Sequence, residues 1–395
     1  MSFKYVNDDF LHSNIHYAGW KTVTEYLKTV TYKGDMIVDM YVDATFHFRQ
    51  EHFEQRLQIP YNTPWIGFIH HTTTGPNNSR DLFANPFFLT SLLHCKALIV
   101  LSNNLQEQLA PLVDAVAPPQ GPVRLHVLRH PVKASPVQFS MERLRANQNK
   151  LLLHVGNWMR DVDRFVQLPV RGNRFSKVIL KGPLNSFADV RDVTTLPNQT
   201  NAQYDELLSR NVVCIYLKDA SANNTILECV ARNTPIIVNR LPAVVEYLGA
   251  GYPLYADNCQ ADINAQLTDA MLLRAHEYLK ALNKSQLTFQ HFTEQFQSTV
   301  TTLGVAVADV ACCAICLDEM YCHNDLIYFS CFHQFGTECV RKCFNHLVTS
   351  NIRCPVCRTG TLLTDESVRI GQNVIGAAAA PSNRRGWGGH GAMYS

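Results

Sequence analysis

The sequence predicts an α/β chain: two tandem units, each built on a parallel sheet, followed by a small metal-binding module. Three observations predict this. Short, nearly continuous apolar runs alternate with stretches of helical periodicity, the pattern of parallel strands covered on both faces by helices. The series occurs twice, on either side of a break at His130-Pro131. Nine of the chain's 13 cysteines then crowd between Cys312 and Cys357.

The first unit is assigned to residues 1–130. A helix is expected from Trp20 to Val30, where Trp20, Val23, Leu27 and Val30 recur at helical spacing. Strands are expected at Met36–Tyr41, Trp65–Ile69, Ala97–Leu101 and Arg124–Leu128, with helices near 86–94 and 103–113. Residues 131–149 are polar, hold a second proline at Pro136, and read as a linker. The second unit, 131–260, has strands at Leu151–Val155, Lys177–Leu180, Val212–Leu217 and Pro235–Val238. Its helices fit 203–210, 224–232 and 242–248. Two such units in tandem leave a cleft, and ligands of α/β sheets sit at the carboxyl ends of the strands.

A helical segment follows at 261–307, with Leu267, Met271, Ala275, Tyr278 and Leu282 as its apolar stripe. The Cys/His module occupies 308–362. Residues 363–395, with Gly376-Ala-Ala-Ala-Ala-Pro, are low in complexity and expected to be disordered.

A hydrophobic content of 46% and 17% charged residues suit a globular protein. A net charge of +2 offers no general argument for nucleic-acid or membrane binding. No apolar run reaches the roughly 18 residues of a membrane span, and the N-terminus lacks an apolar signal core. The expected location is the cytoplasm. Thiols stay reduced there, so clustered cysteines imply metal rather than disulfides. Cys95, Cys214, Cys229 and Cys259 are scattered and read as small buried hydrophobes.

The cysteine-rich module opens with Cys313-Ala-Ile-Cys316, continues through Cys331-Phe-His333 and Cys339, and closes with Cys354-Pro-Val-Cys357. Two-residue spacing lets both sulfurs of a Cys-x-x-Cys reach one ion from a tight turn, and four thiolate or imidazole ligands close a tetrahedral zinc site. The order and spacing resemble the RING finger. By that resemblance Cys331, His333, Cys354 and Cys357 hold one zinc, and Cys313, Cys316 and Cys339 contribute to a second. The family's remaining ligand would fall at position 336, which is glycine. Cys343, four residues beyond Cys339 and so on the same helix face, is the expected substitute. Cys312, Cys322 or a water are the alternatives. Phe335 matches the family's core aromatic.

The resemblance implies ubiquitin ligase activity: docking a ubiquitin-charged conjugating enzyme and holding its thioester in a reactive pose. Ile315, Pro355 and Arg358 would form the docking and ubiquitin-orienting surface. Cys343 stands where the family usually has a groove tryptophan.

Asp219-Ala-Ser-Ala-Asn-Asn-Thr-Ile-Leu-Glu228, followed by Pro235 at the next strand, resembles the nucleotide-sugar segment of GT-B glycosyltransferases, which are built of two Rossmann-like halves. The resemblance implies a diphosphate at a helix N-terminus formed by Asn223, Asn224 and Thr225, and a ribose held by Glu228. A paired glutamate that many members carry eight residues upstream is Ala220 here. His154-Val-Gly-Asn-Trp-Met-Arg160 resembles a glycine-containing strand end with a phosphate-binding arginine, Arg160; Lys181 would be a second cation. His70 and His71, at the end of a first-half strand, are candidate general bases toward an acceptor hydroxyl. Asp161-Val-Asp163 is assigned no metal, and no GxxxxGK[ST] sequence occurs.

The leading expectation is therefore a RING-type ubiquitin ligase with two zinc ions, one site irregular, that carries a GT-B-like region. Its partners would be a conjugating enzyme, ubiquitin and an unknown protein target. The alternative is an active nucleotide-sugar-dependent glycosyltransferase whose RING is a scaffold. A third reading is a binding protein without catalysis. Such a fusion is unusual among cellular proteins; a large DNA virus is a plausible source, and the host cytoplasm would then be the location.

Overall fold

The computed structural model describes residues 3–7, 18–118, 121–171, 174–180, 192–197, 199–256, 259–323, 326–329, 331, 334–344 and 353–358. Two compact units result, divided between Ala308 and Asp309. Lys181, His333 and the tail at 363–395 lie outside the described residues.

The first half of the larger unit contains β1 (Lys4–Val6), α1 (Trp20–Leu27), β2 (Val30–Tyr32), β3 (Ile37–Asp39), α2 (Gln50–Gln55), β4 (Trp65–Ile69), α3 (Pro86–Leu92), β5 (Cys95–Val100), α4 (Asn103–Ala115) and β6 (Arg124–Val127). Its sheet runs β1-β3-β4-β5-β6, every pair parallel. All five residues of β4 are buried, as expected of a strand covered on both faces. The helices start where local chemistry allows. Asn85 accepts from the N–H groups of Phe87 and Phe88 ahead of Pro86, and Ser102 accepts from Leu105 N–H.

The second half contains α5 (Met141–Ala146), β7 (Leu151–Val155), α6 (Val162–Val166), β8 (Ser176–Leu180), β9 (Val193–Leu196), α7 (Asn201–Arg210), β10 (Val212–Ile215), α8 (Asn224–Arg232), β11 (Ile236–Val238) and α9 (Pro242–Leu248). Its sheet order is β11-β10-β7-β8-β9, again all parallel. β7, β8 and β10 are almost wholly buried.

One expectation about organisation changes. Residues 131–149 are no linker: Val132, Phe139, Met141 and Leu144 are buried in the second-half core, and α5 packs there. Their isolation among polar neighbours hides them from a periodicity scan. The helical segment belongs to the larger unit. After α10 (Cys259–Gln266), α11 (Asp269–Ala281) turns Leu272, Ala275, His276 and Leu279 inward; of the expected stripe, Leu267 and Ala275 are buried in the second-half core, and Met271, Tyr278 and Leu282 pack against it partly buried. α12 (Phe289–Thr302) then returns to the first half. Phe289 stacks on Tyr26 at 4.4 Å, and Phe292 and Phe296 lie 6.2 and 5.9 Å from Phe68. Each buried phenylalanine contributes roughly 1.5–3 kcal/mol, so α12 fastens the chain's return to the sheet where it began.

The smaller unit has β12 (Val307–Val310) at its border, then β13 (Leu326–Tyr328), β14 (Gln334–Gly336) and α13 (Thr337–Phe344). β13 and β14 form an antiparallel hairpin with Leu326 opposite Gly336. Its core is small: Met320, Phe329, Phe335 and Val340, with Cys313 and Cys354. So little apolar surface cannot offset chain entropy alone, and bound metal supplies the difference in domains of this size.

Candidate functional site

The carboxyl end of β7 leads into Gly156 and Arg160, and α8 begins opposite. Asn223 caps α8, its Oδ1 accepting from Ile226 N–H at 3.2 Å. The first N–H groups of any helix have no intrahelical partner, which leaves those of Asn224 and Thr225 for a ligand. Arg160 reaches this helix end: its Nη2 donates to Thr225 Oγ1 at 3.1 Å and its Nη1 to Trp158 O at 2.6 Å. It is only 8% exposed, and its Nε has no hydrogen-bond partner. Burial lowers the Arg160 pKa to about 10, so it stays cationic at neutral pH. Gly156 makes the space, since a Cβ there would stand 2.9 Å from the Arg160 Cζ. A buried cation facing a helix N-terminus is a site suited to an anion such as a diphosphate.

Glu228 is elsewhere. It lies in the second turn of α8, 0% exposed, and its Oε1 accepts from Ala18 N–H at 3.0 Å. Its other oxygen is paired with Arg232, which also binds Asp205. Burial raises the Glu228 pKa, opposed by Arg232 and by the Ala18 N–H. The carboxylate is thus committed to a buried ion-pair network rather than presented to a sugar. The network was invisible in sequence because Asp205 is 23 positions upstream of Glu228 and Ala18 is 210 away.

His70 and His71 do follow β4, and both are tied down. The His70 ring bonds Met40 O at 2.9 Å, and burial holds its pKa well below the ordinary value. The His71 ring bonds Tyr41 Oη and Asn77 O, each at 2.7 Å, and packs 5.2 Å from Trp158. Asp43 Oδ2 accepts from both backbone N–H groups. Both ring nitrogens of His71 and Nε2 of His70 are thus engaged within the protein. Contacts between the halves gather here: Ser221 Oγ donates to His70 O, and Thr74 Oγ1 donates to Asp219. Asp161 caps α6 through Arg164 N–H, so the Asp-x-Asp triplet has a structural use.

In the smaller unit the two Cys-x-x-Cys turns have the same construction. Leu317 N–H donates to Cys313 O at 2.7 Å, and Arg358 N–H donates to Cys354 O at 2.9 Å. Leu317 and Arg358 both adopt left-handed backbone, with φ of 67° and 58°. That conformation costs a non-glycine residue about 1–2 kcal/mol, and a metal held by the paired sulfurs is a sufficient reason for it. Cys331, Cys354 and Cys357 bring their sulfurs within 4.8 Å of one another, and Cys313, Cys316 and Cys339 do so together with His323. These donor sets fit zinc. Cys343 is exposed on α13 and is not in either group. Sequence reasoning missed His323. The available signal was simple: it is one of three histidines between Cys313 and Cys357, and only His333 had been assigned. Of the docking candidates, Arg358 is exposed, while Ile315 and Pro355 are half-buried.

No protein-family profile matches the sequence, and no curated protein matches it. Solved structures do. HepE from Anabaena, in complex with UDP-glucose, aligns with a TM-score of 0.50 and 11% identity over 71% of this chain and 81% of its own. An α,α-trehalose-phosphate synthase (UDP-forming) from Burkholderia vietnamiensis aligns at 0.48 and 12% identity, covering 68% of this chain and 75% of its own. TarM aligns at 0.49 and 14% identity over 72% of this chain, which spans only 58% of TarM. Two all-parallel halves and the likeness to HepE define the larger unit as a GT-B glycosyltransferase fold. The smaller unit carries Cys and His side chains grouped so that they could hold metal.

Proposed function

We propose that the larger unit binds a nucleotide-sugar donor at the N-terminus of α8 and transfers its sugar. The observation that carries this reading is the convergence of Arg160, with its unpartnered Nε, on Thr225 and the start of α8. A diphosphate placed there would meet a buried cation and the positive end of a helix. Both become more favourable as the leaving diphosphate gains charge. The fold neighbour HepE, which was crystallised with UDP-glucose, supports the donor class. Lys181 is proposed as a second cation. Asn223 positions the helix start as its cap, and Asn224 and Thr225 offer the N–H groups. Glu228 is proposed to support α8 from behind rather than to touch ribose. The test is calorimetric titration of the full chain with a panel of uridine, guanosine and adenosine diphosphate sugars. Binding by the wild type, weakened at least tenfold in Arg160→Ala, is expected. No binding across the panel, or binding indifferent to Arg160→Ala, overturns the reading.

A second reading concerns the smaller unit, proposed as a RING-type zinc domain that docks a ubiquitin-conjugating enzyme. The observation favouring it is apolar exposure on both Cys-x-x-Cys turns: Leu317 is 77% exposed and Val356 50%. Ile315 and Pro355 flank them, and Arg358 is proposed to orient ubiquitin. Incubation with ubiquitin, activating enzyme and a broad set of conjugating enzymes should yield chains that Ile315→Ala and Arg358→Ala diminish. Absence of chains with every conjugating enzyme removes this reading.

A further inference from the structure

The Cys313 site lacks the ligand that a RING would place at position 336, and the geometry around that position shows what replaces it. β13 and β14 pair antiparallel with Leu326 opposite Gly336. His323 sits just before β13, at the end of the 3-10 turn Met320–Cys322, its N–H donating to Met320 O at 3.2 Å. The hairpin therefore carries His323 alongside Gly336. A Cβ at 336 would stand 2.3 Å from His323 Nδ1 and 2.6 Å from both Cγ and Cε1. The imidazole occupies the space that a side chain from β14 would need.

The ring is also at ligand distance. His323 Nε2 lies 3.4 Å from Cys316 Sγ. Bonds of about 2.3 Å to sulfur and about 2.0–2.1 Å to nitrogen, at a tetrahedral angle, place the two atoms about 3.5 Å apart. The ligand atoms of Cys313, Cys316, His323 and Cys339 all fall within 4.8 Å of one another. The competing sulfurs are turned away: Cys312, Cys322 and Cys343 are exposed, and none is in the group.

We propose that His323, through Nε2, is the fourth ligand of this zinc site, and that Gly336 is its required counterpart. The ligand has crossed the hairpin, from β14 to the turn before β13. The two positions then form one device: either a side chain at 336 reaches the metal, or glycine at 336 admits His323. Binding takes up the ion on three thiolates and one neutral imidazole, releasing the thiol protons. The site is four-coordinate without Cys343 or water, and Cys343 is left free on the face of α13. This inference is independent of both readings of function, because it concerns metal content alone.

The experiment counts zinc in the purified full chain by mass spectrometry and by chelator competition, and repeats it with cobalt(II) for its ligand-sensitive absorption. Wild type should hold two zinc ions per chain. His323→Ala should lose one, or hold it far more weakly than the roughly 10–100-fold cost of losing an outer-shell partner. Gly336→Ala should reproduce that weakening through its Cβ alone. His323→Cys keeps the metal and shifts one cobalt spectrum from three sulfurs and a nitrogen to four sulfurs, so the proposal stays testable if His323→Ala misfolds. His323→Ala/Gly336→Cys should regain the second ion by restoring a ligand on β14. Cys343→Ser should leave both ions in place. Undiminished zinc affinity in His323→Ala, or loss of one ion in Cys343→Ser, overturns the proposal.

Discussion

Replacing Glu228 by alanine distinguishes a structural carboxylate from a ligand-binding one. In the structure Glu228 is 0% exposed and Arg232 is 0% exposed, and they are joined as an ion pair across one helical turn. The Ala18 N–H also ends on Glu228. Glu228→Ala strands that N–H and removes one of the two carboxylates that pair with the buried Arg232, the other being Asp205. Breaking a buried pair by removing one member costs about 3–5 kcal/mol, and the stranded donor is part of that penalty. The expected loss is therefore about 3–5 kcal/mol in the absence of any ligand. Urea unfolding followed by tryptophan fluorescence measures it, because Trp20, Trp65 and Trp158 all lie in the larger unit. Glu228→Gln, which keeps an acceptor for Ala18 but drops the charge, should fall between alanine and wild type. A carboxylate facing a sugar would behave otherwise, costing within about 0.5 kcal/mol of stability while binding fails. That outcome would refute the assignment of Glu228 to the core.

Other outcomes follow from the same geometry. Gly156→Ala combines a φ of 76° with a Cβ 2.9 Å from the Arg160 guanidinium carbon, so it should weaken nucleotide-sugar binding as Arg160→Ala does while leaving Arg160 in the chain; unchanged affinity by titration would contradict the placement. Phe292→Ala empties a fully buried position between Trp20 and Phe68 and should cost about 3–5 kcal/mol in urea unfolding; a loss under about 1 kcal/mol would mean that α12 does not fasten the first half. Burial lowers the pKa of His130 to about 4 and of His154 to about 3, from 6.5. As pH falls the unfolded chain binds these protons first, so the histidines' contribution is whole above about pH 6.5 and is lost toward pH 3–4. Near pH 5 the two together tilt stability by about 2.5 kcal/mol per pH unit. Asp39 and Glu228, with pKa values raised by burial, act in the opposite direction. Comparison with His154→Gln isolates one histidine, and its slope should differ from wild type by about 1.4 kcal/mol per unit; equal slopes would refute the burial argument.

Much of the architecture was legible in the residues. Trp65–Ile69 and Leu151–Val155 are short apolar runs between helical stretches, and they are central strands of parallel sheets. Asn223 announced the start of α8 because a side-chain amide before an apolar helical run has a local reason to be there. The paired cysteines announced metal because a two-residue spacing is itself geometry. The less legible elements had weak local signals: β1 and β9 are short strands at sheet edges, and α5 is a six-residue helix among polar neighbours.

By itself the sequence determined the α/β class, the two parallel-sheet halves and the cysteine-rich unit with its paired sulfurs. These follow from period and spacing, which are properties of neighbours along the chain. Only the tertiary structure decided which polar groups partner which. Glu228 is claimed by Arg232 and by Ala18, His70 and His71 by Met40, Tyr41 and Asn77, and Arg160 meets Thr225 at the head of α8. Hydrogen-bond partners far apart in the chain decide such assignments, so no local pattern can contain them. The same reason put His323 beside Gly336: the β13–β14 hairpin, not residue spacing, brings imidazole and glycine together.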